Sequence, residues 1–192
     1  YLGTGASWPY STTGSNWSQT AANLVTAPFR TRDQLIAAID HWNDSSSVAT
    51  DTYGSITAWE FQPILTNFSG LFYRDTSLTT FNEDLSLWDV SNVTTMSSMF
   101  KGCSAFNQDI NSADDAWNVS SVTNMSSMFE GCSAFNGNIT EWDTSSVINM
   151  SSMFKDCIAF NRIIGGYVPH HDNVWNVSSV TNMSSMFEGC SA

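Results

Sequence analysis

The sequence has few charged residues and very few cations. Among 192 residues there are six Lys or Arg and 18 Asp or Glu, which gives a net charge of −12 and a charged fraction of 12%. That fraction is about half of the usual share of about 25%. Binding to phosphate backbones or anionic lipid requires clustered cations. The composition therefore excludes nucleic acid and membrane surfaces as partners.

Long apolar runs are also absent. No segment approaches the roughly 18 apolar residues of a transmembrane helix, so we expect no membrane insertion. The chain begins at Tyr1 without a signal-like apolar segment, and it ends at Ala192 within a repeated block. We expect any export signal or anchor to lie outside this sequence.

Residues and motifs that could act in catalysis are scarce. The three histidines lie outside the repeats, and there is neither a Ser–His–acid arrangement nor a glycine-rich phosphate loop. His170-His171-Asp172 could form a surface metal site, but a solvated loop is the preferred interpretation. Acidic and amide residues that recur at coil turns could bind calcium, but turn capping explains them without a metal. We expect no enzyme, no cofactor and no metal site.

A repeated block dominates the sequence. Val93-Thr-Thr-Met-Ser-Ser-Met-Phe-Lys-Gly-Cys-Ser-Ala-Phe-Asn recurs at 122–136 and 147–161, and a shortened copy occupies 180–192. A tryptophan precedes each block by five residues, at Trp88, Trp117, Trp142 and Trp175. The base unit is about 25 residues, and insertions at 111–116 and 165–174 indicate loops on one face. With a degenerate copy from Leu65 to Leu85, the chain has about five coils, more than the roughly three that a solenoid needs.

Within each block the apolar residues follow a helical period. Val122, Met125 and Met128 share one helical stripe, and Gly131 is placed to end such a helix. The stretch 106–110 is typical of a short extended segment. The pattern predicts an α/β repeat, a leucine-rich-repeat-like solenoid of short strand–turn–helix coils, with Met stacked on Met and Trp on Trp.

The sequence divides into three regions. Residues 1–30 form an N-terminal extension, 31–60 a capping helix and lead-in, and 61–192 the solenoid. Thr31 and Gln34 have the capping-box spacing before an amphipathic run, and residues 43–53 are expected to form a polar loop. The extension carries Trp8, Tyr10, Trp17 and Phe29. Because large rings are normally buried by a core or a partner, we expect residues 1–28 to pack against another copy.

One stretch carries a resemblance to a known family. Residues 81–100 read Phe-Asn-x-Asp-Leu-x-x-Trp-Asp-Val-Ser-x-Val-Thr-x-Met-Ser-x-Met-Phe, which resembles the BspA-like leucine-rich-repeat surface proteins over residues 31–192. The resemblance implies an exported, surface-attached or extracellular protein used in adhesion or as structural material, with no catalytic residues. The two insertions and residues 1–28 depart from it.

The cysteines occupy equivalent points of successive coils: Cys103, Cys132, Cys157 and Cys190. Since no CxxC pair occurs, a zinc site is not expected. Two alternatives stay open, namely buried free thiols and disulfides between neighbouring coils. Neighbouring helical coils lie about 8–10 Å apart, beyond the roughly 7 Å limit for a disulfide, unless the coils approach more closely beyond the helix.

Sequons for N-glycosylation are abundant. They lie at Asn16, Asn43, Asn67, Asn92, Asn118, Asn124, Asn138, Asn149, Asn176 and Asn182. If the source is eukaryotic, we expect glycans on some of them, with Asn16, Asn43 and Asn118 preferred because loops and coil edges accept a bulky sugar. The alternative is that Asn124, Asn149 and Asn182 simply lie on the polar side of each predicted helix.

Two functions fit these features. The first is a non-catalytic structural subunit of a surface fibre, sheath or appendage, formed by self-association of identical chains because head-to-tail contacts generate filaments. The alternative is a cell-surface adhesin that binds a glycan or a host or matrix protein. Either function implies an extracellular or cell-surface location.

Overall fold

The computed structural model describes residues 28–73, 78–111, 117–164 and 175–191. Its regular elements are near the N-terminus: α1 (Arg32–Asp44), α2 (Ser46–Tyr53) and one 3₁₀ turn (Ile56–Ala58). In the described ranges the remaining chain forms coils of consecutive turns without a regular strand. Neighbouring coils meet at isolated parallel bridges, which are Asn67–Thr95, Thr95–Asn124, Asn124–Asn149 and Asn149–Asn182.

Helix α1 begins at the predicted capping box. The Thr31 hydroxyl accepts the Gln34 N–H, and the Gln34 side chain accepts the Thr31 N–H, which confirms this local prediction. The buried face of α1 packs into the core through Leu35 and Ile39. Residues predicted as a polar loop instead continue as α2, so that prediction is wrong. In α2, Ala49 is buried and provides a second anchor on the core.

The five coils begin at Trp59, Trp88, Trp117, Trp142 and Trp175. Trp59 stacks on Trp88 at 6.3 Å between ring centroids. Trp117, Trp142 and Trp175 form a further stack, at 6.2 and 6.1 Å. Each indole N–H after the first donates to a carbonyl in the segment that leads into the preceding tryptophan, as Trp142 does to Ile110 at 3.0 Å. The rings are therefore fixed both by stacking and by a satisfied polar atom.

Two phenylalanine columns run beside the tryptophans. In one, the rings of Phe72, Phe100, Phe129, Phe154 and Phe187 follow one another at 5.2–5.6 Å. In the other, Phe81, Phe106, Phe135 and Phe160 follow at 5.8–6.0 Å. The planes within each column are almost parallel. The core is therefore a set of aromatic columns that extends from the first described coil to the last.

Each coil carries a run of turns that we call the turn wall, at residues 68–73, 96–102, 125–131, 150–156 and 183–189. In the turn wall, alternate N–H groups donate to carbonyl oxygens of the next coil. Between the third and fourth coils these bonds are Met125 N–Asn149 O, Ser127 N–Ser151 O, Phe129 N–Met153 O and Gly131 N–Lys155 O, at 2.9, 2.8, 2.9 and 2.8 Å. The intervening N–H groups donate three residues back within their own coil, as Met128 does to Met125 at 3.2 Å.

Left-handed residues recur in the turn wall. Ser98, Ser127, Ser152 and Ser185 have φ of 54–56°. Four residues later the backbone is left-handed again, at Gly102, Gly131, Asp156 and Gly189, with φ of 59–78°. A non-glycine residue in this region costs about 1–3 kcal/mol unless the surrounding structure holds it. Inter-coil hydrogen bonds help to hold Ser98, Ser127 and Ser152 in this conformation, and Ser185 adopts it in the last described coil without such a bond.

The predicted α/β solenoid of strand–turn–helix coils is wrong. The turns return apolar residues to the core every three or four positions, as a helix would, so Val122, Met125 and Met128 are buried without a helix. A left-handed residue in every turn wall prevents the repeated i to i−4 bonding of an α-helix. The stretch 106–110, predicted as extended, also forms no strand.

The predicted register of Trp and Met is confirmed, since Met96, Met125, Met150 and Met183 occupy equivalent positions in successive turn walls.

Candidate functional site

The flank of the stack beside the isolated bridges is an exposed polar surface. Its outermost residues include Thr66, Thr94, Thr123 and Thr181, all exposed. The hydroxyls of Thr94, Thr123 and Thr181 donate to carbonyls of the preceding coil, at 3.1–3.2 Å. The flank therefore presents hydroxyl groups in fixed orientations along the stack.

The sequons differ in exposure. Asn43, Asn67, Asn92, Asn176 and Asn182 are exposed, whereas Asn118, Asn124, Asn138 and Asn149 are half-buried. Asn16 lies outside the described residues. In most of these sequons the asparagine Oδ1 accepts the N–H of the residue two positions later, as Asn124 does from Ser126 at 3.0 Å. The oxygen, and not the nitrogen that would carry a glycan, makes this bond, and glycosylation stays a prediction.

A second set of asparagines joins neighbouring coils. The Oδ1 atoms of Asn82, Asn107 and Asn136 accept the N–H of Asn107, Asn136 and Asn161, at 2.8, 2.7 and 3.0 Å. This asparagine ladder explains the recurrent Phe-Asn pair, because the phenylalanine fills the core and the asparagine bonds the next coil.

Three acidic residues at coil turns, where the sequence left calcium binding as an alternative to turn capping, have local partners. Asp84, Asp89 and Asp143 each accept the N–H two residues later, at 2.8–3.0 Å, as expected for turn capping. Among the described residues no group of three or more His, Cys, Asp or Glu could hold a metal ion. His170, His171 and Asp172 lie outside the described residues.

The cysteines form a column of free thiols, so the structure has no disulfides between neighbouring coils. Each Sγ lies near a phenylalanine carbonyl of the preceding coil. Cys132 donates to Phe100 at 3.0 Å and Cys157 to Phe129 at 2.9 Å. Burial raises the pKa of Cys157 to about 12 and raises the pKa of Cys132 well above its ordinary value. Thiols in this state are poor nucleophiles.

Charges alternate along one edge of the turn wall. Lys101 contacts Glu130 at 2.9 Å, and Lys155 contacts Glu188 at 2.8 Å. Hydrogen bonding to Lys155 lowers the pKa of Glu188. In the first coil the equivalent residue is Tyr73, and the Lys101 ammonium lies 5.5 Å from its ring centroid. The sequence shows Lys and Glu alternating at this position of the repeat, but it does not show that these side chains meet between coils.

The two ends of the described stack are different. At the C-terminal edge, Met183 and Phe187 are 43% and 45% exposed, whereas the equivalent Met150 and Phe154 are fully buried. At the N-terminal edge, α1 covers the first coil, and the Arg32 guanidinium donates to the Ser69 carbonyl. One edge is therefore capped by α1 and the other is open among the described residues.

The structure bears on two further expectations, the intermolecular role of the N-terminal extension and the absence of membrane insertion. Phe29, one of the aromatic residues of the N-terminal extension, forms a parallel bridge with Phe61 and packs on Trp59 at 5.0 Å. Residues 1–27 lie outside the described residues, so the expected packing of residues 1–28 against another copy stays a prediction. None of the helices in the described part of the chain is long and apolar enough to span a membrane.

The comparisons with known proteins identify a different family from the one that the motif resembles. No curated protein and no solved structure matches the chain. The matching sequence family is not the BspA-like leucine-rich-repeat family, so that assignment is wrong. The Trp, Met and Phe-Asn positions that suggested it are explained by the stacking of turn-based coils. The matches lie at residues 9–114, 47–166 and 111–192 and extend over most of the chain, which therefore belongs to the family described as Mycoplasma protein of unknown function, DUF285.

Proposed function

We propose that this chain is a non-catalytic extracellular structural protein, a subunit of a surface fibre, sheath or appendage. The observation that supports it is the continuity of the stack. Aromatic columns and inter-coil hydrogen bonds run from the first described coil to the last. Because each coil satisfies the polar backbone groups of its neighbour, such a stack resists bending and suits a load-bearing or space-filling role.

The surface chemistry supports an extracellular location. Only six residues are Lys or Arg, and the described flank is covered by hydroxyl and amide groups. With so few charges, solubility would be supported by glycans on exposed sequons such as Asn67, Asn92 and Asn176. Comparing intact mass before and after glycosidase treatment tests this point, and an unchanged mass in protein from a eukaryotic source would contradict it.

Electron microscopy of the purified chain tests the proposed function. We expect regular fibres or sheets, and their loss on deletion of residues 1–27, which carry three of the aromatic residues assigned to intermolecular contact. A matched control deletes residues 1–7, which lack Trp. Dispersed particles of the full chain would overturn the structural role.

The alternative is an adhesin for a glycan or for a host or matrix protein. It is favoured by the exposed threonine and asparagine flank, since fixed hydroxyl groups can bond to sugars. Saturable binding to a glycan array by dispersed particles, lost on Thr123→Val, would favour the adhesin over the structural subunit.

A further inference from the structure

One flank of the stack presents the same pattern of side chains in each described coil. We call it the threonine flank, and it comprises residues 66–69, 94–97, 123–126, 148–151 and 181–184. Its first residue is an exposed Thr, except for Ile148 in the fourth coil, and its last residue is always Ser. The second residue forms the parallel bridge that joins neighbouring coils. Because parallel strands lie about 4.8 Å apart, these side chains recur at that spacing along the flank.

Hydrogen bonds fix the threonine side chains of this flank in one orientation. The Thr94 hydroxyl donates to the Thr66 carbonyl at 3.2 Å, and the Thr123 hydroxyl donates to the Thr94 carbonyl at 3.1 Å. The backbone N–H of Thr94 and of Thr123 donates to the same two carbonyls, at 2.8 and 2.9 Å. Since the hydroxyl hydrogen is used within the stack, each threonine presents a methyl group and an oxygen lone pair in a repeated arrangement.

The second row of the threonine flank supplies hydrogen-bond donors. The Oδ1 atom of Asn124 accepts the Ser126 N–H, and the Oδ1 atom of Asn149 accepts the Ser151 N–H, both at 3.0 Å. An amide whose oxygen is held in this way directs its NH₂ group, with two donor hydrogens, away from that bond. The flank therefore repeats methyl, acceptor and donor groups from coil to coil.

The composition of the threonine flank argues against a discrete ligand. It contains no charged residue, although the chain has six Lys or Arg and 18 Asp or Glu, and its one aromatic residue, Phe68, is buried. Sites for small ligands are concave and lined by apolar and aromatic side chains. The flank is also about 20 Å long and about 10 Å wide, well below the roughly 800 Å² that each partner buries in a stable protein complex. A uniform, regularly spaced surface suits a partner that is itself periodic.

We propose that the threonine flank binds the surface of ice. Water molecules in ice occupy regular positions, each donates and accepts hydrogen bonds, and the oxygen atoms repeat at a spacing close to that of the coils. The methyl, hydroxyl and amide groups of successive coils therefore contact the lattice together, and contacts that form simultaneously reinforce one another. This activity does not depend on the proposed structural function, because a single chain and an assembled chain present the same flank.

Partition into growing ice tests the proposal. The 192-residue chain, produced in bacteria so that Asn124 and Asn149 carry no glycan, is frozen slowly, and the protein in the ice is compared with that in the remaining liquid. We expect a several-fold enrichment in the ice. Thr123→Lys should abolish the enrichment, because a long charged side chain in the middle of the flank prevents close contact. Thr80→Lys is the matched control, because Thr80 is exposed outside the flank, and it should partition like the parent chain.

The fourth coil offers a variant with the opposite effect. Ile148 interrupts the threonine row, but it is 49% exposed, and its N–H donates to the Thr123 carbonyl at 2.8 Å as the threonines do in other coils. Ile148→Thr completes the row and should raise the enrichment above that of the parent chain.

Three outcomes would overturn the ice-binding flank. They are exclusion of the parent chain from the ice, equal enrichment of Thr123→Lys and the parent chain, and lower enrichment of Ile148→Thr. Circular dichroism verifies that each variant is folded. Fibre formation is measured separately by microscopy, so exclusion from ice would reject this site and leave the structural function standing.

Discussion

Met125 shows how the stack depends on single residues. Its side chain is fully buried in the methionine row, and its N–H donates to the next coil. We predict that Met125→Asp destabilises the protein by about 3–5 kcal/mol, because the carboxylate would be buried without a partner. Urea denaturation of the variant and the parent chain measures this difference.

Met183→Asp is the matched control for that variant. Met183 occupies the equivalent position of the last described coil, but it is 43% exposed. We expect little loss of stability, because its carboxylate stays hydrated. Equal destabilisation by the two substitutions would show that burial in the stack does not determine the effect.

Alanine substitutions at Gly131 and Gly137 distinguish the cost of backbone strain from the cost of steric overlap. Gly131 has φ of +76°, and a Cβ there would meet only ordinary contacts. A Cβ at Gly137 would lie 2.1 Å from the Gln108 carbonyl oxygen. We predict that Gly131→Ala costs about 1–2 kcal/mol through strain alone. Gly137→Ala should cost more, because the neighbouring coil must shift. Thermal unfolding gives the order, and a reversed order would contradict the packing at the Gln108 contact.

Among the elements, those whose conformation depends on neighbouring residues in the sequence were predicted correctly. The capping box requires only Thr31 and Gln34, and α1 begins where it predicts. The turn wall could not be predicted in the same way, because serine does not favour a left-handed backbone. Ser127 adopts φ of 55°, and in this conformation its N–H donates to the Ser151 carbonyl of the next coil, a partner that is distant in sequence. A helix and a run of turns bury the same residues, so periodicity alone did not distinguish them.

The cysteine column predicts a selective pattern of thiol reactivity. Cys103, Cys132 and Cys157 are buried, whereas Cys190 is half-buried. At pH 8, a thiol reagent should modify Cys190 first and leave the other three protected until the protein unfolds. Peptide mapping by mass spectrometry identifies the modified sites. Rapid modification of Cys132 in the folded chain would contradict the packing of the column.

The same thiols predict a loss of stability at high pH. Burial raises the pKa of Cys103 and of Cys157 from the ordinary 9.0 to about 12. A raised pKa favours the neutral thiol in the folded state, so this stabilisation is complete below pH 9 and is lost as the pH rises towards 12. The free energy of unfolding of Cys157→Ala should therefore fall less steeply between pH 9 and pH 12 than that of the parent chain. Identical pH profiles would show that the thiol is not the group responsible.

For the whole molecule, the spacing of the repeats predicted that the coils stack, but it did not predict which hydrogen bonds join them. Trp88, Trp117, Trp142 and Trp175 each begin a coil, and their rings lie in two stacks, one of Trp59 and Trp88 and one of Trp117, Trp142 and Trp175. The capping helix at the N-terminal end was predicted from the sequence, whereas the direction of the inter-coil hydrogen bonds in the turn wall was not. Only the three-dimensional arrangement shows that Arg32 lies at the carbonyl edge.

Hydrogen bonds from the turn wall of one coil to the next coil hold the stack together. Scalar couplings across hydrogen bonds, measured by NMR on the isotopically labelled chain, report each donor and acceptor directly. The structure predicts couplings from the Ser127 nitrogen to the Ser151 carbonyl carbon and from Phe129 to Met153. Couplings from Phe129 to the Met125 carbonyl, four residues back in the same coil, would instead show a helix and contradict the turn-based stack.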